Sequence, residues 1–198
     1  MSLLAAKPND QIVMTKWVGL SGTYTIAQER QEELKQRYTS DFIQKALAYA
    51  DYLQYDKEYE VLQNIGYHAL VEASYGGIFG ALFQLGYDSD LGVMADLEKI
   101  PILQQTIEFS EFYQLNPYLL HSSGAMVIAS SRGEELVLQL KKIGIEAAVI
   151  GHMTEDKARI VYLKEECRYL VPPRRDEIFK CFPDPSYRKR FPKNIVER

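Results

Sequence analysis

Cysteine and histidine are scarce in this chain, with two and three copies in 198 residues. Cys167 and Cys181 lie far from any CxxC spacing. Two such thiols form neither a disulfide framework nor a zinc site, and they read as small packing residues. His121 and His152 stand alone, and no nucleophile adjoins either in sequence. Long apolar runs are also missing: none approaches the roughly 20 residues that cross a bilayer. The N-terminus lacks the basic-then-apolar pattern of a secretory signal. A reduced, cytoplasmic protein with no membrane contact is the expectation. Neither sign of charge dominates, with 23 basic against 27 acidic residues and a net charge of −4, which argues against a broad nucleic-acid surface. No internal repeat and no low-complexity segment occurs.

What is present suits one soluble domain. Apolar residues make up 46% and aromatic residues 12%, enough for an ordinary core. Fourteen tyrosines, a residue that tolerates half-wet surfaces, are compatible with a hidden partner surface. Strand patterns fall at 11–17, 67–73, 92–97, 126–129 and 146–150, and 159–163 is expected to pair with 168–171 as a hairpin. Helical patterns fall at 25–38, from a Ser40 cap to Leu53, and at 58–65 with Gly66 closing it. Further helices are expected at 78–85, 103–115 and 134–143, and Asp176 caps a last one through Phe182. The elements interleave without the strict period of a doubly wound sheet. The expectation is an α+β domain over residues 1–182, layered α/β/α around a mixed, largely antiparallel sheet. Residues 183–198, with three prolines and an excess of Arg and Lys, read as a basic extended tail.

The richest segment is Ser74-Tyr75-Gly76-Gly77-Ile78-Phe79-Gly80, a glycine turn between a predicted strand and a predicted helix. Such a turn aims backbone N–H groups and a helix dipole at one point, a geometry that suits phosphate or carboxylate. A tight turn that merely packs helix on sheet is an equal reading. Ser122-Ser123-Gly124 offers two hydroxyls and free amides, or a loop closed on itself. Glu72 follows His68 by four positions, but two ligands make no metal site, and no metal is expected. Asp88 and Asp90 lack the calcium-loop spacing and read as a solvated turn.

The order of these motifs resembles the C-terminal domain of the aminoimidazole ribonucleotide (AIR) synthase superfamily. That group includes AIR synthase, selenophosphate synthetase, thiamine-monophosphate kinase and the hydrogenase maturation factor that dehydrates a protein-bound carboxamide. Asn9-Asp10-Gln11-Ile12-Val13 is similar to its opening strand, and Gly19 to Gly22 to the turn that follows. Gly76-Gly77-Ile78, Ile100-Pro101, Asn116-Pro117, Ser122-Ser123-Gly124 and Ile150-Gly151 follow in the family's order, closest to the hydrogenase maturation branch. The resemblance implies ATP and magnesium as cofactors, with their ligands on an N-terminal ATP-binding domain absent from this chain. It further implies that domain or another protein as partner, and a homo-oligomer. Carried onto this sequence, the phosphate- or substrate-side positions are Glu72, Ser74, Gly76, Gly77, Ser122, Ser123 and Gly124, with no catalytic residue assigned. Where the family shows His-Asp-x-Thr-x-Gly-Gly, this chain has Val71-Glu72-Ala73-Ser74-Tyr75-Gly76-Gly77, and the terminal carrier cysteine of the maturation factor is missing. The resemblance therefore predicts a domain inactive alone, or a binding and assembly module that keeps the fold.

Overall fold

The computed structural model describes residues 5–184 and Tyr187. In chain order the elements begin with strand β1 (Gln11–Thr15) and helices α1 (Leu20–Glu29), α2 (Gln31–Leu34) and α3 (Ser40–Leu47). They continue with α4 (Asp56–Ile65), β2 (Ala69–Glu72), α5 (Gly77–Asp88), β3 (Gly92–Asp96), α6 (Gln104–Phe112) and β4 (Met126–Ser130). The remainder is α7 (Gly133–Lys142), β5 (Ala147–Thr154), β6 (Arg159–Leu163), β7 (Glu166–Tyr169) and α8 (Ile178–Cys181). The strands form one seven-stranded sheet in the order β2-β4-β1-β5-β3-β6-β7. Every neighbouring pair is antiparallel except β3 with β6. This is the mixed, largely antiparallel α+β layering that the sequence predicts.

Alternation along β1 shows how the layers arise. Ile12 and Met14 point into a core shared with Ile78, Leu82 and Leu85 of α5. Val13, one residue out of phase, points to the other face and joins Leu136 and Leu140 of α7 and Leu62 of α4. A period-2 strand thus buries both faces between two helical layers. A third cluster, with Ile26, Ile43, Phe109 and Phe179, lies among α1, α3, α6 and α8 and extends the core through Phe182.

Gly151 explains the late Ile-Gly motif. Register between β1 and β5 shifts at Ile12/Val13, and opposite that irregularity Gly151 comes against β3. A Cβ at Gly151 would lie 2.1 Å from the Met94 carbonyl oxygen. Only glycine admits so close a backbone approach.

Several boundaries depart from expectation for local reasons. The helix expected over 25–38 begins instead at Leu20, behind a left-handed Gly19, and breaks at Arg30, whose φ of −117° interrupts the ladder. Thr39, rather than Ser40, caps α3 by accepting from the Phe42 N–H. Helix α5 runs three residues past Leu85, to Asp88, because Phe83 and Tyr87 stack together and Arg159 lies over both rings. The expected tail lies outside the described residues apart from Pro183, Asp184 and Tyr187, which stacks on Phe182.

Candidate functional site

The Gly-Gly turn and the Ser-Ser-Gly loop, about 45 residues apart in sequence, meet in space: the Ser122 N–H donates to the Ser74 carbonyl at 3.4 Å. Gly76 and Gly77 both occupy left-handed backbone, φ 75° and 59°. A side chain at Gly77 would strike the Tyr118 and Leu120 carbonyl oxygens at 2.7 and 2.6 Å. Close packing against residues 118–120 therefore requires the second glycine.

The amides that the sequence marks for an anion have acceptors within the chain. The Gly76 N–H donates to Asp176 Oδ2 at 2.7 Å, while Asp176 Oδ1 accepts from the His121 and Ile178 N–H groups at 3.1 and 2.9 Å. The carboxylate at the turn is thus the chain's own, and it is only 1% exposed. Burial pushes the Asp176 carboxyl up to about 6, while the three N–H donors pull the other way. Gly77 donates to the Ser74 carbonyl at 3.1 Å. Ser122 Oγ donates to the Leu120 carbonyl and accepts from the Gly19 N–H, both at 2.7 Å, tying in the glycine turn after β1. Among the described residues no hydrogen bond engages the hydroxyls of half-buried Ser74 and Ser123. Those two groups are the ones left free to meet a ligand.

Glu72 and Gly124 converge on a residue the sequence did not single out. Tyr55, just ahead of α4, donates its hydroxyl to the Glu72 carboxylate and accepts from the Gly124 N–H at 2.8 Å. Burial and the Glu72 carboxylate both raise the phenol further. Beneath it Lys16, 4% exposed, places Nζ 2.5 Å from Glu58 and donates to the Gln54 and Gly124 carbonyls. Lys16 so clamps the Gly124 loop to the start of α4. Tyr55→Phe is expected to destabilise the fold by about 1–2 kcal/mol, because it strands one amide and one carboxylate. Urea unfolding checks this, and a loss below about 0.5 kcal/mol would show water replacing the hydroxyl.

Two of the three histidines, His68 and His121, take structural partners. His68 Nδ1 lies 2.8 Å from Asp10 Oδ2, and His121 Nδ1 lies 2.8 Å from Ser21 Oγ. Burial lowers the His121 pKa to about 4, so its ring is neutral at pH 7. His68 and Glu72, considered together on sequence, hold different partners. Among the described residues no group of three or more His, Cys, Asp or Glu side chains is placed to hold a metal ion. None of the helices there is long and apolar enough to cross a membrane. Of the residues that build this region, sequence reasoning missed Tyr55, Lys16 and Glu58. A lysine closing an apolar strand was the available signal for the buried pair.

With this geometry in place, the chain can be compared with known proteins. It is 25% identical over 156 residues to carbamoyl dehydratase HypE of Rhizobium leguminosarum bv. viciae, covering 77% of this chain and 43% of that protein. The crystal structure of E. coli HypE, a hydrogenase maturation protein, superposes with a TM-score of 0.67 at 20% identity, covering 87% of this chain and 52% of that one. HypE in complex with ATP matches at TM-score 0.67 and 16% identity, over 88% and 54% of the two chains. AaThiL complexed with AMPPCP and TMP matches at TM-score 0.61 and 15% identity, over 87% and 52%. The chain spans about half the length of these relatives. Residues 7–164 match the profile of the AIR synthase related protein, C-terminal domain, and the chain belongs to that family.

Proposed function

We propose that this chain is the substrate-side half of an ATP-using assembly resembling the hydrogenase maturation factor, inactive until an N-terminal ATP-binding domain or partner protein supplies the rest. The observation that carries this reading is the state of the site. Ser74 and Ser123 keep free hydroxyls at the meeting point of the two turns, while Gly76, Gly77, Gly124 and Ser122 are held internally. Phosphoryl transfer needs metal-held phosphates as well as positioning groups. Magnesium and ATP therefore belong to the partner domain. On this chain, Ser74 and Ser123 donate to phosphate oxygens, and the amides of Gly76, Gly77 and Gly124 hold the turns that aim them. Glu72, committed to Tyr55, positions the Gly124 loop.

A second reading, a non-catalytic binding or assembly module, draws on one observation. The position where the family carries histidine is Val71, and the neighbouring carboxylate of Glu72 is engaged by Tyr55. Magnesium-ATP turnover separates the two readings. The chain alone is expected to show none above a Gly76→Asp control, and turnover above that control would overturn the proposal. Adding the N-terminal domain of a hydrogenase maturation relative should then give turnover that falls at least about tenfold in a Ser74→Ala/Ser123→Ala variant. Turnover indifferent to those serines would favour the module.

A further inference from the structure

A cleft of about 720 Å³ opens where the sheet ends at β7. Helix α5 packs across β2, β3, β4 and β6, and β7 carries the sheet one strand further. Arg168 sits directly opposite Val161 in the β6–β7 ladder and so shares its face, the α5 side. The buried side chains of Val161 and Leu170 line the bottom of the hollow. One wall carries Phe79 stacked on Tyr118, with ring centroids 5.1 Å apart and planes 6° from parallel. The segment after β7 lines it as well, and its Pro173 packs over Gly76, between the cleft and the Gly-Gly turn.

The charge in this cleft runs against the charge of the chain. The protein is net −4, yet Arg168, Arg174 and Arg175 all line the hollow, with Glu177 as its one carboxylate among the described residues. Glu177 is already satisfied by Lys180 at 2.6 Å and by the Asn116 N–H at 2.9 Å. Arg168 has only a loose, exposed contact with Glu166 at 3.7 Å, and Arg174 has no acidic partner among the described residues. Arg175 donates to the Phe179 carbonyl, which orients its guanidinium. An apolar hollow of this volume, ringed by a few convergent polar groups, has the form of a small-molecule site. Guanidinium groups match phosphate oxygens in a planar, two-pronged geometry, and aromatic walls favour a flat ring.

We propose that this cleft binds a small aromatic phosphate of nucleotide size, its ring against the Phe79–Tyr118 wall and its phosphates among Arg168, Arg174 and Arg175. This inference does not rest on the assembly reading, since the cleft is built wholly by this chain and needs neither metal nor a second domain.

Calorimetry on the full chain in EDTA tests it, with ADP as probe and adenosine and pyrophosphate as its two fragments. ADP is expected to saturate below about 1 mM and to bind at least about tenfold more tightly than either fragment. An Arg168→Ala/Arg174→Ala variant should weaken ADP at least about tenfold with its melting temperature unchanged, because both side chains are exposed. A Lys142→Ala variant, which removes an exposed positive charge on α7 across the sheet, should bind ADP as the parent does. Equal affinity for ADP and pyrophosphate would overturn the proposal in favour of a charged surface. So would insensitivity to the arginine pair, an equal loss of binding in the Lys142 variant, or an acidic peptide that displaces ADP and binds more tightly.

Discussion

Glu58→Met in the otherwise unaltered chain is expected to lower the unfolding free energy by about 3–5 kcal/mol, because it leaves the Lys16 ammonium buried beside carbonyls without its counter-charge. Both side chains are almost fully enclosed, 5% and 2% exposed, so solvent screening does not blunt the loss. The double variant Lys16→Met/Glu58→Met should recover much of that, since two apolar side chains of similar length replace the whole pair. Recovery should be incomplete, because the Gln54 and Gly124 carbonyls lose the donor that joins them. Chemical denaturation of these three proteins and of Lys16→Met closes the cycle. A single variant within about 1 kcal/mol of the parent would mean that water reaches the lysine and the clamp is not a buried one.

Asp176→Ala should cost about 3 kcal/mol or more, since it strands the buried amides of Gly76, His121 and Ile178 together. Its milder relative Asp176→Asn tests the charge. The folded-state pKa of Asp176 is raised from 3.8 to about 6, so the stability this group contributes is greatest below pH 3.8 and is lost as pH rises through 6. His121 acts in the opposite sense. Its folded-state pKa is lowered from 6.5 to about 4, so its contribution is present above pH 6.5 and is lost as pH falls through 4. The two offset one another across that window in the parent. Removing the carboxyl leaves the histidine unopposed, and the gap between parent and Asp176→Asn should widen by about 2 kcal/mol from pH 7 to pH 4. Urea midpoints across that range give the answer. A gap that stays constant would place the Asp176 titration at its ordinary value and remove burial as the governing cause.

The order of elements was legible because each carries its own local signature. The β-branched run in 11–15, the Gly66 stop after α4 and the Gly-Gly entry into α5 all follow from backbone sterics and side-chain type. The tight turn before α5 was legible for the same reason, since paired glycines in left-handed geometry have few other uses. Helix ends were less legible. Arg30 breaks α1 where no glycine or proline announces a break, and α5 gains its last turn from Arg159, more than seventy positions along the chain.

Sequence alone determined the family, the interleaved α+β layering and the existence of two glycine-bearing loops, because spacing and side-chain type act over a few neighbouring residues. Tertiary structure decided what those loops hold. The acceptor for Gly76 lies 100 positions away at Asp176, and the partner of Gly124 is a tyrosine 69 positions before it. Nothing local distinguishes a free amide from one already engaged, because hydrogen-bond saturation is a property of the folded whole. The same holds for the arginines at the sheet edge, whose convergence on one apolar hollow depends on β7 pairing with β6 beside α5.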